Sequence, residues 1–222
     1  MHTGNRSLKK IAVVIAHPDD ETLWAGGSLL ITSFESCFIL SLCRAGDDDR
    51  RHRFFRALKE FGATGAMADL DDGPGQTPLT PGLICHTILE KLPSISFDRI
   101  YTHSPRGEYT RHLRHEETGR ALLQLWIKKD VKASEVCLFA YEDGCHKYLP
   151  RPISEAQITL PLPEEIWRRK YRIIREIYNF GNNTFEAKTT PRVEAFWLVP
   201  NRISARQWLN DTRSHHESSG PI

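Results

Sequence analysis

The sequence contains no apolar run approaching the ~18 residues of a membrane-spanning helix, which leaves no candidate span. A dominant charge sign is missing too. Thirty Lys and Arg against 28 Asp and Glu leave a formal charge of +2. No broad field therefore favours nucleic acid or an anionic surface as partner. Cysteine is scarce and unpaired in pattern: Cys37, Cys43, Cys85, Cys137 and Cys145 are odd in number and form no Cys-x-x-Cys. Most lie in apolar segments, which reads as buried free thiols in a reducing compartment. No apolar leader core separates Met1 from the first strand, so no signal peptide is read and a cytoplasmic location is expected. There is no internal repeat, no low-complexity block and no interdomain linker. What remains is ordinary for a globular chain, with 40% hydrophobic and 26% charged residues. Its 222 residues suffice for one α/β domain with a sizeable core.

The most informative stretch is Ile11-Ala-Val-Val-Ile-Ala-His17-Pro18-Asp19-Asp20-Glu21. Six small or β-branched apolar residues read as a strand buried on both faces. Pro18 offers no backbone N–H and ends it. An imidazole and two carboxylates thus stand just past the carboxyl end of a central strand, where open α/β sheets place their sites. A histidine with hard oxygen donors suits zinc or a similar divalent ion. A nucleotide-binding module would need Gly-x-Gly-x-x-Gly at this point, and His-Pro-Asp-Asp occupies it instead.

Downstream, strands and helices alternate. Helices are expected over Asp20 to Ile31, from Asp47–Asp49 to Phe61, over Leu83 to Leu92 and over Leu113 to Lys129. Strands are expected at Cys37 to Cys43, Ala66 to Leu70, Asp98 to His103 and Val136 to Tyr141. This alternation predicts a Rossmann-like, mostly parallel sheet with helices on both faces. In the first helix, Gly26-Gly27 is expected to permit close helix–sheet packing. Residues 143 to 162, rich in proline, read as a long surface segment. Pro163 to Tyr178 reads as a basic amphipathic helix, with the run Trp167 to Arg172 as a solvated face rather than an RNA contact. Val193 to Val199 reads as a late strand, and the polar residues from Asn210, including His215-His216, as a frayed tail. Trp24, the tryptophan nearest the motif, is expected in the core.

A second constellation is His103-Ser-Pro-Arg-Gly-Glu-Tyr109-Thr-Arg-His112-Leu-Arg-His115. His103 ends a strand and reads as a residue behind the ligands or in the pocket wall rather than as a ligand. His112 and His115, three apart at a helix start, can face one pocket. A strand-end His/Asp pair plus a helical His would give three protein ligands and an open position, the catalytic type of site.

His-Pro-Asp-Asp-Glu after a buried strand, with a distant His-x-x-His, resembles the LmbE/PIG-L-like zinc-dependent de-N-acetylases. The resemblance implies that His17, Asp20 and His115 bind zinc, although iron(II), cobalt or manganese would also suit such a set. It implies that Asp19 is the general base on the attacking water, and that a protonated His112 stabilises the oxyanion and donates to the leaving amine. Gly46-Asp47 followed by a helix matches a family segment that places Arg50 at substrate hydroxyls, and Asp72-Gly73 matches a second hydroxyl contact. Glu194-Ala-Phe196 matches a closing Glu-x-Phe. Departures are Arg53 where the family usually has Glu, a one-residue insertion beside Tyr109, and Tyr178-Asn-Phe-Gly181 in place of a late Tyr-x-Ser-Gln. The implied domain spans residues 10–200, between an extension at 1–9 and a tail at 201–222. The implied activity is removal of an N-acetyl or short acyl group from an N-acetylglucosamine-containing or related amino-sugar conjugate. A non-catalytic metal or carbohydrate binder and an amidase of non-sugar amides are the alternatives. A homo-oligomer is compatible with the sequence.

Overall fold

The apolar run at residue 11 becomes the middle of a seven-stranded sheet in the computed structural model, which describes residues 8–109 and 112–217, with side chains as far as Asp211. β1 (Lys9–Ile15) alternates between two cores. Ile11, Val13 and Ile15 face one layer of helices, and Ala12 and Val14 face the other. That double burial is why the run has no polar alternation. The chain continues through α1 (Asp20–Ile31), β2 (Phe34–Cys43), α2 (Asp48–Phe61), β3 (Thr64–Leu70), α3 (Pro81–Lys91), β4 (Ser96–Thr102), α4 (Leu113–Lys128) and β5 (Lys132–Phe139). α2 starts on Asp47, whose carboxylate accepts Arg50 N–H, and stops at Gly62 in the left-handed conformation.

After β5 come β6 (Tyr141–Glu142), β7 (Arg151–Pro152), β8 (Ile158–Pro161), α5 (Glu164–Arg172), a π-helical turn at Ile173–Ile177, α6 (Phe185–Thr189), β9 (Val193–Val199) and α7 (Arg202–Glu217). The main sheet runs β3-β2-β1-β4-β5-β9-β8. β1 to β5 pair in parallel, whereas β9 is antiparallel to β5 and β8 to β9. The winding direction reverses between β1 and β4. The loops leaving these two strands therefore border the crevice where doubly wound sheets bind ligands. The fold is thus the α/β, mostly parallel architecture expected. Among the described residues no helix is long and apolar enough to cross a membrane.

The later part differs from the sequence reading. The segment 143–162 is not wholly irregular: β7 pairs with β6, and β8 forms the sheet edge, where Pro161 is tolerated because one side needs no donor. The expected long helix is α5 continued by the π turn, in which Tyr178 N–H reaches Ile173 O at 3.0 Å. As far as Glu217, the expected tail from Asn210 belongs to α7, which starts on the Asn201 side chain and packs Ala205 into the core; residues 218–222 lie outside the described set. The side chains of His215 and His216 lie outside the described set. The basic run of α5 is not uniformly solvated. Lys170 is fully buried and donates to Glu194 Oε1 at 2.7 Å. Glu194, on β9, also accepts Gly27 N–H, Ser28 N–H and the Ser28 hydroxyl, each at 2.7 Å. One buried carboxylate thus joins β9, α5 and the far end of α1. Gly26 and Gly27 admit α5 and its approach rather than the sheet face expected: a Cβ on Gly26 would stand 3.3 Å from Lys170, and one on Gly27 2.3 Å from Leu162.

Candidate metal centre

His17 leaves β1 directly, and Asp20 is the first residue of α1. The Asp20 side chain turns back over the loop. Its Oδ2 accepts His17 N–H at 2.9 Å and its Oδ1 accepts the Trp24 indole N–H at 3.0 Å. His115, in the first turn of α4, is fully buried. His17 Nδ1, Asp20 Oδ2 and His115 Nε2 form a near-equilateral triangle with sides of 3.2, 3.4 and 3.2 Å. Ligands ~2.0–2.1 Å from a tetrahedral ion stand about 3.3 Å apart, so the triangle has the dimensions of three corners of such a site.

Carboxylates behind the rings set their orientation. Glu108 Oε2 lies 2.7 Å from His115 Nδ1 and 3.0 Å from His103 Nδ1, and Glu108 Oε1 accepts Ser104 N–H at 2.9 Å. A proton on His115 Nδ1 leaves the Nε2 lone pair facing the triangle. His103, stacked on His115 at 3.8 Å, uses Nε2 to accept Ala16 N–H at 3.0 Å. It stands behind the triangle rather than in the cavity wall, fully buried and within 3.3 Å of Asp20 Oδ2. Asp72 Oδ1 stands 3.0 Å from His17 Nε2, so it faces the imidazole. Cys43 also lies near His17 and Asp72, and burial pushes its thiol up.

An open cavity of about 190 Å³ lies above the triangle. Six of the seven residues singled out in the sequence line it: His17, Asp19, Asp20, Arg50, Asp72 and His112, with His115 beneath. Arg50 Nη1 is 3.5 Å from Asp19 Oδ2, and its guanidinium lies over the Phe180 ring at 4.7 Å. His112 stacks on His115 at 4.3 Å, and its Nδ1 is buried without a hydrogen-bond partner among the described residues. Tyr109 and Phe185 meet edge to face at 5.2 Å on the opposite wall. Residues 110 and 111, within the inserted loop, lie outside the described set.

The charges are sorted by environment. Burial and the neighbouring Asp20 hold the Asp19 carboxyl well above its usual range, against the pull of Arg50 and His17. Burial opposes ionisation of Asp20 as well, but His115 and His103 hold it well below. Two adjacent carboxylates pushed apart in this way are suited to different tasks. Burial works against a charged His17, yet the carboxylates of Asp20 and Asp72 raise it to about 10. The field at the triangle therefore favours positive charge, as a cation site requires. Burial, then His115 and His17, push the His112 ring down to about 3, which favours its neutral form.

Several contributors escaped the sequence reading. Glu108 sits five residues after His103, an acid in the loop between two histidine positions. Trp24 is in the core as expected, but it also holds Asp20. Arg53 bridges Asp49 on α2 and Ile177 O on the π turn, at 2.6 and 3.2 Å.

No protein-family model matches the sequence, and no curated protein matches it. Solved structures do. N,N'-diacetylchitobiose deacetylase from Pyrococcus horikoshii superposes with a TM-score of 0.62 at 14% identity, covering 87% of this chain and 84% of that one. GalB, a 4-carboxy-2-hydroxymuconate hydratase from Pseudomonas putida, gives 0.58 at 17% identity, covering 97% and 92%. The zinc-inhibited form of teicoplanin deacetylase Orf2 gives 0.57 at 16% identity, covering 86% and 98%. Two deacetylases and a hydratase on one scaffold show that the scaffold alone does not choose the reaction. The chain has the LmbE-like fold that its histidine and aspartate motifs resemble.

Proposed function

We propose that the protein is a zinc-dependent hydrolase that removes an N-acetyl or other short acyl group from an N-acetylglucosamine-containing or related amino-sugar conjugate. The observation that carries this reading is the triangle of His17, Asp20 and His115, with Asp19 and His112 beside it in one open cavity. His17 Nδ1, Asp20 Oδ2 and His115 Nε2 would hold the ion. Bound there, the ion would polarise the amide carbonyl and make water more acidic. Asp19 takes the proton from the attacking water and passes it to the leaving nitrogen, so that carboxylate and free amine depart with atoms in balance. His112, as a neutral ring, donates a hydrogen bond to the oxyanion. Arg50 orients the Asp19 carboxylate and reaches substrate hydroxyls on the same wall. Asp72 holds His17 and borders the same subsite. The deacetylases of this fold supply the acetamido sugar as substrate class.

A second reading is water addition to an unsaturated carboxylate. Arg44 and Arg50 both line the cavity and would suit an acid, and GalB shares the fold. One assay separates the two. Purified protein, with and without added zinc, is offered N-acetylglucosamine conjugates and an unsaturated dicarboxylate, and acetate release and loss of the conjugated chromophore are followed. Zinc-dependent acetate release supports the hydrolase; chromophore loss alone overturns it. Asp19→Ala is expected to keep about one zinc per chain and lose about 10²–10⁴-fold in rate. Unchanged activity would remove Asp19 from the base role.

A further inference from the structure

A helix-capping aspartate ordinarily sits in extended backbone and turns its carboxylate onto the first-turn amides. Asp47 does so at the start of α2, with φ −88° and its side chain on Arg50 N–H. Thr80 and Thr184 do the same for α3 and α6. Asp19, which precedes α1, does not. Its φ is 130° and its ψ −27°, in a region that favours glycine, and its side chain makes no capping bond. Its carboxylate instead faces the cavity, near Arg50.

What holds this backbone is Glu21. Its side chain is fully buried, with Oε2 accepting Asp19 N–H at 3.1 Å. Oε1 accepts the Thr22 hydroxyl at 2.5 Å and the Tyr178 hydroxyl at 2.7 Å. Both carboxylate oxygens are thus satisfied by neutral donors. Tyr178 follows the π-helical turn Ile173–Ile177 immediately, and π turns are frequent at functional sites. Ile177 O takes Arg53 from α2, and the Phe180 ring lies under Arg50. Residues 177–180 therefore touch both flanks of Asp19: Glu21 on one side and Arg50 on the other.

We propose that Glu21, braced by Tyr178, is a positioning residue whose buried carboxylate holds Asp19 in its left-handed backbone and so keeps the Asp19 side chain in the cavity instead of on α1. This rests on the reading of Asp19 as the general base. The π turn is the element that delivers Tyr178, so residues 173–178 contribute to the site without lining the cavity.

The test compares Glu21→Ala, Glu21→Gln and Tyr178→Phe with the wild type by crystal structure, zinc content, melting temperature, KM and kcat. In Glu21→Ala the Asp19 φ is expected to become negative, with the carboxylate capping α1. Zinc content and KM stay within about twofold, while kcat falls about 100-fold, the scale of a 1 Å misplacement. Glu21→Gln should recover most of kcat, because its amide oxygen still accepts Asp19 N–H; a loss equal to that of Glu21→Ala would overturn the hydrogen-bond argument. Tyr178→Phe keeps the ring and should lose roughly tenfold in kcat. It decides the matter if Glu21→Ala does not fold, with an unchanged kcat counting against the proposal. An Asp19 φ still near the wild-type value in Glu21→Ala overturns it outright. If the wild type releases no acetate from any substrate, the hydrolase reading fails, and the Asp19 backbone in Glu21→Ala still decides this one.

Discussion

Each histidine at the triangle has a carboxylate behind it. Glu108 backs His115 at 2.7 Å and Asp72 backs His17 at 3.0 Å. Such partners fix which nitrogen carries the proton, and hence which lone pair faces the ion. His103 and His115 hold the Glu108 carboxyl down to about 2 despite burial, so it stays an anion and a pure acceptor. Glu108→Gln is therefore expected to weaken zinc binding about 10–100-fold while the fold persists, measured by competition with a chromophoric chelator. An unchanged affinity would mean that ring packing alone orients His115. At this scale the chain is only partly legible. His17, Asp20 and His115 could be chosen because strand-end and helix-start motifs announce themselves in series. Glu108, Trp24 and Glu21 could not, because their roles lie in what each side chain reaches. Arg114 illustrates the limit. It sits between the paired histidines and looks like a solvated charge. It is almost fully buried, and donates to Asp71 O and Thr77 O on the loop that carries Asp72.

Elements decide whether those residues meet. α4 crosses the end of β4 so closely that a Cβ on Gly119 would lie 2.2 Å from His103 O. The neighbour is backbone and cannot step aside. Gly119→Ala should push α4 off the strand, costing about 1–3 kcal/mol and lowering the melting temperature by about 2–4 °C for each of them. Because α4 carries His115, zinc affinity should fall as well. Gly82→Ala, on α3 with open space around its Cβ, is the control, and should leave both unchanged or raise stability slightly. If both variants melt alike, the close approach is not restrictive. The parallel core was readable because β1 and β2 are apolar runs, and because α2 between β2 and β3 is capped by Asp47 and stopped by Gly62. β7, β8 and α6 were not, since each has only two to five residues. Their conformation comes from partners distant in sequence, as β8 from β9, and period counting has no purchase on them.

At the scale of the whole molecule, α1 is held at both ends by charge. Its first residue, Asp20, faces the triangle, and its Gly27 and Ser28 amides rest on Glu194 with the buried Lys170. Breaking a buried pair leaves an uncompensated charge, so Lys170→Met should cost about 3–5 kcal/mol. At about 2–4 °C per kcal/mol that is a drop of roughly 6–20 °C in a thermal scan. Zinc, on the proposed reading, would act at the other end. At about 100 times its dissociation constant it should stabilise the native state by about 2.7 kcal/mol, raising the melting temperature by roughly 5–10 °C, and a chelator should reverse this. The informative measurement combines the two. Gly27 is seven residues from Asp20, about 10 Å along a helix at 1.5 Å per residue, a separation at which effects usually add. If zinc raises Lys170→Met by the same free energy as the wild type, α1 passes no strain between its ends, and the Glu194 lock serves stability alone. If zinc stabilises the variant by clearly less, the lock also sets where Asp20 stands. The closing Glu-x-Phe would then belong to the metal centre's geometry, although it touches none of its ligands.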